Sequence, residues 1–202
     1  MSFPANIVYG ALLRQPMYAW LQMTKDGGAD AVNWPEGDYH IFPGSFNPIH
    51  EGHKQVYDQI VAQNPGAICC LELTLWPRGK ERLTREEFAE RFCNLVLAGY
   101  PVMATNLTYF SEKCAILSMY PYVKSLTFHI GIDTAERLLQ DHPLEEIEAY
   151  PAKFQVWGRA GKTIRDLKVI PTNFSEGIGN DVNSTISSTA IRNSQEMGGS
   201  QS

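Results

Sequence analysis

The chain has 202 residues, of which 44% are apolar and 19% charged. That suffices for one α/β domain with a sizeable core and excludes a chain disordered throughout. The net charge of −5 excludes a broadly basic nucleic-acid-binding face, while a local basic patch stays open.

In chain order, residues 1–38 read as a leader and linker. Ile7, Val8, Leu12, Leu13, Tyr18, Trp20 and Leu21 are apolar, but Pro16 interrupts them. One or two short helices packed on the main body, or on a second copy of it, are expected, so a homo-oligomer is allowed. The start, Met1-Ser2-Phe3-Pro4, carries no basic n-region or cleavage pattern. Lys25 to Gly37, rich in glycine, reads as linker.

Strand and helix patterns then alternate over 39–193. Tyr39 to Phe42 reads as a short strand and Pro43 to Ile49 as a turn. A helix follows from His50 to Asn64, with Val56, Ile60 and Val61 on one side. Ala67 to Leu73 is a buried-type strand and 75–83 a loop. Thr84 with Glu87 forms a capping box for a helix to Ala98, with Phe88, Phe92, Leu95 and Val96 inward. Val102 to Thr105 reads as a strand, and Ser111 caps a helix to Met119. Leu126 to Ile130 is a strand leading through Gly131-Ile132-Asp133-Thr134 into a helix at Ala135 to Gln140. Phe154 to Trp157 and Lys168 to Ile170 are further strands, and Ser188 or Thr189 opens a last helix. Residues 194–202 are small and polar, a flexible tail. This alternation implies a single α/β domain, a doubly wound parallel sheet covered on both faces.

The longest stretch free of Asp, Glu, Lys and Arg, 94–111, is broken by Gly99, Pro101 and Asn106, so no membrane span is expected. The four cysteines, Cys69, Cys70, Cys93 and Cys114, form no C-x-x-C and read as free thiols of a cytoplasmic protein.

Ligands of open α/β sheets sit beyond the carboxyl ends of the strands. The first such junction is Pro43-Gly44-Ser45-Phe46-Asn47-Pro48-Ile49-His50-Glu51-Gly52-His53. Gly44 and Ser45 allow a tight turn. His50 and His53 project from one helix face, and Gly52 leaves room for a phosphate. The helix N-terminus adds free N–H groups and a positive dipole end. Together they form a site for a polyphosphate whose charge grows in a transition state. A zinc site would need a third ligand, and neither His40 nor His129 has metal spacing.

Ile186-Ser187-Ser188-Thr189-Ala190-Ile191-Arg192 reads, from its residues, either as a phosphate-binding helix start or as a capped helix with a solvated arginine. Asp133 either accepts from ribose hydroxyls or caps its helix with Thr134. Pro77-Arg78-Gly79-Lys80 follows the second strand as a polar loop, and Arg159 follows Trp157-Gly158 at the end of the fifth.

The first segment resembles the G-x-F-x-P-x-H-x-G-H signature of the nucleotidylyltransferase superfamily, in the form found in nicotinamide/nicotinate mononucleotide adenylyltransferases and cytidylyltransferase-like proteins. The I-S-S-T-x-I-R signature of the same superfamily appears in the expected order, and the G-x-D at 131–133 has its counterpart there too. The resemblance spans 39–193 and implies a Rossmann-like fold. It also implies transfer of a nucleoside monophosphate from a nucleoside triphosphate, ATP first, to a small phosphorylated acceptor such as a pyridine mononucleotide, with release of pyrophosphate. His50, His53 and Arg192 would be catalytic. Gly44, Ser45, Phe46, Gly52, Lys80, Gly131, Asp133, Ser187, Ser188 and Thr189 would bind nucleotide. Mg²⁺ would be held mainly by substrate phosphates, with no protein metal site and no nucleic-acid or membrane partner. The other reading is a catalytically silent nucleotide-binding sensor or scaffold of the same fold. One departure concerns the acceptor: the bacterial pyridine-nucleotide enzymes commonly carry a tryptophan after the G-x-D, and 135–142 has no aromatic residue that would stack on a pyridine ring.

Overall fold

A computed structural model of the protein describes residues 3–14, 19–23, 29–31 and 35–177. The elements run α1 (Phe3–Leu12), β1 (Ala19–Met23), β2 (Ala29–Ala31), β3 (Gly37–Pro43), α2 (Glu51–Gln63), β4 (Ile68–Thr74), α3 (Arg85–Leu97) and β5 (Val102–Thr105). They continue with α4 (Phe110–Ser118), β6 (Val123–Gly131), α5 (Ile132–Asp141), α6 (Leu144–Glu148), β7 (Lys153–Trp157), a 3₁₀ turn (Ile164–Asp166) and β8 (Phe174–Glu176).

One sheet joins all eight strands in the order β2-β1-β5-β4-β3-β6-β7-β8. From β5 to β8 every pairing is parallel. Central β3 sets Ile41 opposite Cys70 on one side and Phe128 on the other. β4 and β5, sandwiched between helix layers, are near-continuous apolar runs, as buried parallel strands must be. On one face, α1, α2 and α3 bury Leu12, Val56, Ile60, Phe88 and Phe92 against Phe42 and Leu71. On the other, α4, α5 and α6 bury Leu117, Leu138 and Ile147 against Ile41, Phe128 and Phe154. The architecture is a Rossmann-like doubly wound α/β sheet. Its order reverses between β3 and β6, which opens a crevice beyond their carboxyl ends.

Local signals explain most boundaries. Thr84 Oγ1 accepts from the Glu87 N–H at 3.2 Å and the Glu87 carboxylate accepts from the Thr84 N–H at 2.8 Å, closing the expected capping box. The inward set Phe88, Phe92, Leu95 and Val96 is the buried face of α3.

Several expectations are corrected. The stretch read as linker contains β2, which pairs antiparallel with β1; β1 in turn pairs antiparallel with β5. Strands of three and five residues at a sheet edge carry too little periodicity to be read in isolation. α1, by contrast, packs on the main body, one of the two placements expected for a helix of the leader. Its Tyr9 hydroxyl donates to Leu83 O at 3.3 Å, and Arg85 Nε donates to Asn6 Oδ1 at 2.8 Å.

Ser111 is not the cap of α4. Tyr109 holds that position, and the Glu112 carboxylate accepts from the Thr108 and Tyr109 N–H groups, both at 3.0 Å. α5 starts at Ile132 rather than Ala135, with Gly131 at its cap. Lys168 to Ile170 is not a strand. Val169 and Ile170 are exposed, and the chain turns at Pro171, where the Phe174 N–H donates to Pro171 O. Phe174 then packs on the Phe154 ring at 5.1 Å and takes the strand position. Val61 is exposed; Tyr57 fills the buried stripe of α2 instead, its hydroxyl donating to Cys69 O. The expected C-terminal helix and the tail lie outside the described residues.

Candidate functional site

A cavity of about 520 Å³ opens beyond the carboxyl ends of β3, β4, β6 and β7. The β3–α2 junction forms one wall. The Gly44 N–H donates to Glu72 O at 3.1 Å, tying the turn to β4. Phe46 adopts a left-handed φ of 41° and is buried. Its ring lies so close over Gly44 that a Cβ there would sit 2.6 Å from it. The ring edge meets His53 at 5.1 Å between centroids.

His50 is the N-cap of α2 in extended conformation, and its ring stacks on that of His53 at 3.8 Å. The His50 backbone N–H donates to His53 Nδ1 at 3.3 Å. His53 Nδ1 is therefore the acceptor, and its proton sits on Nε2. His50 Nδ1 is buried with no hydrogen-bond partner among the described residues. Burial lowers the pKa of both rings. For His53, burial, His50 and Arg159 together bring it down to about 3; for His50, burial and Arg159 act in the same direction. Both imidazoles are thus neutral near pH 7, and an arriving anion would meet N–H donors rather than charges already satisfied.

The sequence-derived candidates within the described residues converge. Gly44, Ser45, Phe46, His50, Gly52, His53, Lys80, Gly131 and Asp133 all line this one cavity. Asp133 stands in the first turn of α5 and does not cap it. Its carboxylate faces Arg159, 3.9 Å from Nη1. Ser187, Ser188, Thr189 and Arg192 lie outside the described residues.

Arg78 and Arg159, both singled out in the sequence, join Lys80 around the cavity, and Arg91, Lys113 and Arg137 emerge there only in three dimensions; among the described lining residues Glu72 and Asp133 carry the opposite sign. This is a local basic patch on an acidic chain, suited to a polyanion. Arg78 pairs with Asp141 and so ties the 75–83 loop to the end of α5. Tyr109 and Phe110 at the start of α4 supply aromatic rings to the wall, from a different element than the one where an aromatic was sought. Glu72 and Lys113 form a buried ion pair at 2.7 Å. This pair had no motif to announce it; the only available signal was a lysine and a glutamate inside largely apolar elements.

Beneath the cavity, Trp157 Nε1 donates to His129 Nδ1 at 3.2 Å. His129 must then carry its proton on Nε2, which donates to His40 Nδ1 at 2.9 Å. These histidines are partners of each other and not of the His50–His53 pair. Among the described residues no three His, Cys, Asp or Glu side chains cluster to hold a metal ion, and no helix is long and apolar enough to cross a membrane.

No protein-family model and no curated protein sequence matches the chain. Solved structures do. Plasmodium falciparum nicotinic acid mononucleotide adenylyltransferase complexed with APC is similar over 78% of this chain and 83% of that one, with a TM-score of 0.52 and 15% identity. The same enzyme complexed with NaAD gives a TM-score of 0.51 at the same identity and coverage. The likeness is one of fold: this chain shares the Rossmann-like architecture of those adenylyltransferases.

Proposed function

We propose that the protein is a nucleotidyltransferase. It moves a nucleoside monophosphate from a nucleoside triphosphate, ATP first, to a small phosphorylated acceptor such as a pyridine mononucleotide. The observation that carries this reading is the stacked His50–His53 pair at the N-terminus of α2, placed where the strand order reverses and facing a basic cavity.

An acceptor phosphate oxygen attacks the α-phosphorus in line. The new P–O bond forms as the bond to the β-phosphate oxygen breaks, and the electron pair leaves with pyrophosphate. No covalent enzyme intermediate is required, so catalysis is positioning and charge stabilisation. His53 Nε2–H and His50 donate to the α-phosphate oxygens as charge builds there. The free N–H groups of the first turn of α2 add to the same field. Arg159 and Lys80 offset the triphosphate charge, and Asp133 faces the ribose. Arg192, Ser187, Ser188 and Thr189 are assigned to the β- and γ-phosphates. Mg²⁺ would travel with the phosphates and screen them, because the described residues of the cavity lining offer no cluster of carboxylates.

The test is product analysis with each nucleoside triphosphate against a panel of phosphorylated acceptors, reading pyrophosphate and the joined product. In wild-type protein at least one pair turns over. His53→Ala lowers that rate at least 10²-fold, the loss of one donor worth about 3 kcal/mol, with an unchanged melting curve. Triphosphate binding without turnover by any pair would support the sensor reading instead. Full activity in His53→Ala would remove the catalytic assignment.

A further inference from the structure

The 75–83 loop, which the proposed reaction uses through Lys80 alone, has a fixed base and a tip with one anchor. At the base, the Leu83 N–H donates to Leu75 O at 3.0 Å, and both leucines are buried. The Arg82 guanidinium lies 5.7 Å from the Trp76 ring centroid, and the Thr108 hydroxyl donates to Trp76 O at 3.0 Å. At the tip, the Lys80 N–H donates to Pro77 O at 3.1 Å around Gly79, whose φ is 67°. Among the described residues, the one ion pair or hydrogen bond from 77–81 to another element is Arg78–Asp141. The loop follows β4 and α5 follows β6, and β3 lies between those strands in the sheet. Pro77, Arg78 and Lys80 of the loop and Arg137, Leu138 and His142 around the end of α5 all line the cavity. The pair therefore straps two walls of the crevice together. α5 itself gains nothing from Asp141, because the last turn is the negative end of the helix dipole. The two side chains are 41% and 31% exposed, so the pair is weak enough to be broken by a competitor.

We propose that Asp141 competes with a polyphosphate for Arg78, so that the 75–83 loop is a strap, fastened to α5, which the anion itself releases. That the ligand is a polyphosphate rests on the transferase reading above. A guanidinium takes carboxylate and phosphate in the same two-pronged geometry, so one replaces the other on Arg78 without a new kind of contact. The exchange favours the polyphosphate. It carries more charge than one carboxylate, and it also meets Lys80, two residues along the same turn, which has no ion pair among the described residues. Gly79 lets the tip turn on its fixed base. Arg78 passes from α5 to the phosphates, and the crevice loses its strap as the anion gains a cation.

Calorimetric titration of the full chain with inorganic tripolyphosphate tests this without turnover and without a base. Asp141→Asn keeps the shape, removes the competing charge and tightens binding about threefold, the strength of an exposed ion pair. Arg78→Ala weakens binding roughly fivefold or more. In the Arg78→Ala background Asp141→Asn has no effect, because its partner is gone. Glu145→Gln, an equal loss of charge nearby on α6, leaves binding unchanged. All three positions are exposed, where substitutions ordinarily leave stability little altered. If Arg78→Ala binds too weakly to fit, the comparison of Asp141→Asn with Glu145→Gln decides. The strap is overturned by unchanged or weaker binding in Asp141→Asn, or by equal tightening in Glu145→Gln or in the Arg78→Ala background. Absence of tripolyphosphate binding by the wild type overturns it too. Coupling of Arg78 to Asp141 without turnover of any substrate pair would refute the transferase reading and leave the strap standing; turnover without the coupling would do the reverse.

Discussion

Gly44→Ala is a one-carbon perturbation with a traceable path to the reacting groups. A Cβ at this position would lie 2.6, 2.8 and 3.0 Å from three atoms of the Phe46 ring. Ordinary carbon contacts begin near ~3.5 Å, so the ring must retreat by about 1 Å, the difference between that contact and the shortest clash. It has little room: Phe46 is 2% exposed, with Phe42 at 5.9 Å and His53 at 5.1 Å between ring centroids. Moving the ring therefore presses on His53, and through it on the stacked His50. Overpacking of this kind costs about 1–3 kcal/mol of stability. A shift of about 1 Å in a group that positions a reaction costs roughly 10²-fold in rate. Urea unfolding and pyrophosphate release, measured on the same preparations, read both effects. The double variant Gly44→Ala/Phe46→Leu vacates part of the ring's volume and is expected to recover stability more than turnover. A Gly44→Ala protein with an unshifted urea midpoint and turnover within twofold of wild type would refute the chain of contacts from Gly44 to His53.

Three further outcomes are expected. His129 is fully buried, and burial, then His40, lower its pKa from 6.5 to about 3. The unfolded chain therefore takes up this proton first, and stability is full above pH 6.5 and falls as pH drops toward 3. This group alone accounts for a loss of about 2 kcal/mol between pH 7.5 and 5. His129→Gln flattens the urea-derived stability profile by that amount; a profile parallel to wild type counts against the buried neutral imidazole. Arg159→Ala removes a cationic neighbour that depresses both His50 and His53. The His53 resonances titrate at higher pH in this variant, while affinity for a triphosphate analogue falls at least fivefold; unchanged affinity removes Arg159 from the anion site. Leu12 of α1 is 1% exposed in the same core as Phe88 and Phe92. Leu12→Ala lowers stability by about 2–5 kcal/mol, whereas a loss below 0.5 kcal/mol by urea unfolding, on the order of an ordinary surface substitution, would show that α1 is dispensable to the fold.

The doubly wound sheet was legible in the chain because its signals are local. Val102 to Thr105 is a strand with three apolar residues in a row between a Gly-Tyr-Pro turn and a polar loop, and Thr84 with Glu87 marks a helix start within four residues. The His50–Gly52–His53 wall was legible for the same reason, since its geometry is set by one turn and one helix end. Beyond Lys80, Gly131 and Asp133, tertiary structure alone decided which groups gather around that wall. Lys113 and Glu72 come from α4 and β4, and His40, His129 and Trp157 from three different strands. Their meeting depends on strand order and register, which arise from packing summed over the whole sheet. β1 and β2 joined the sheet for a related reason: a short edge strand is held by its neighbour's unpaired backbone groups, and those leave no mark on the residues it is made of.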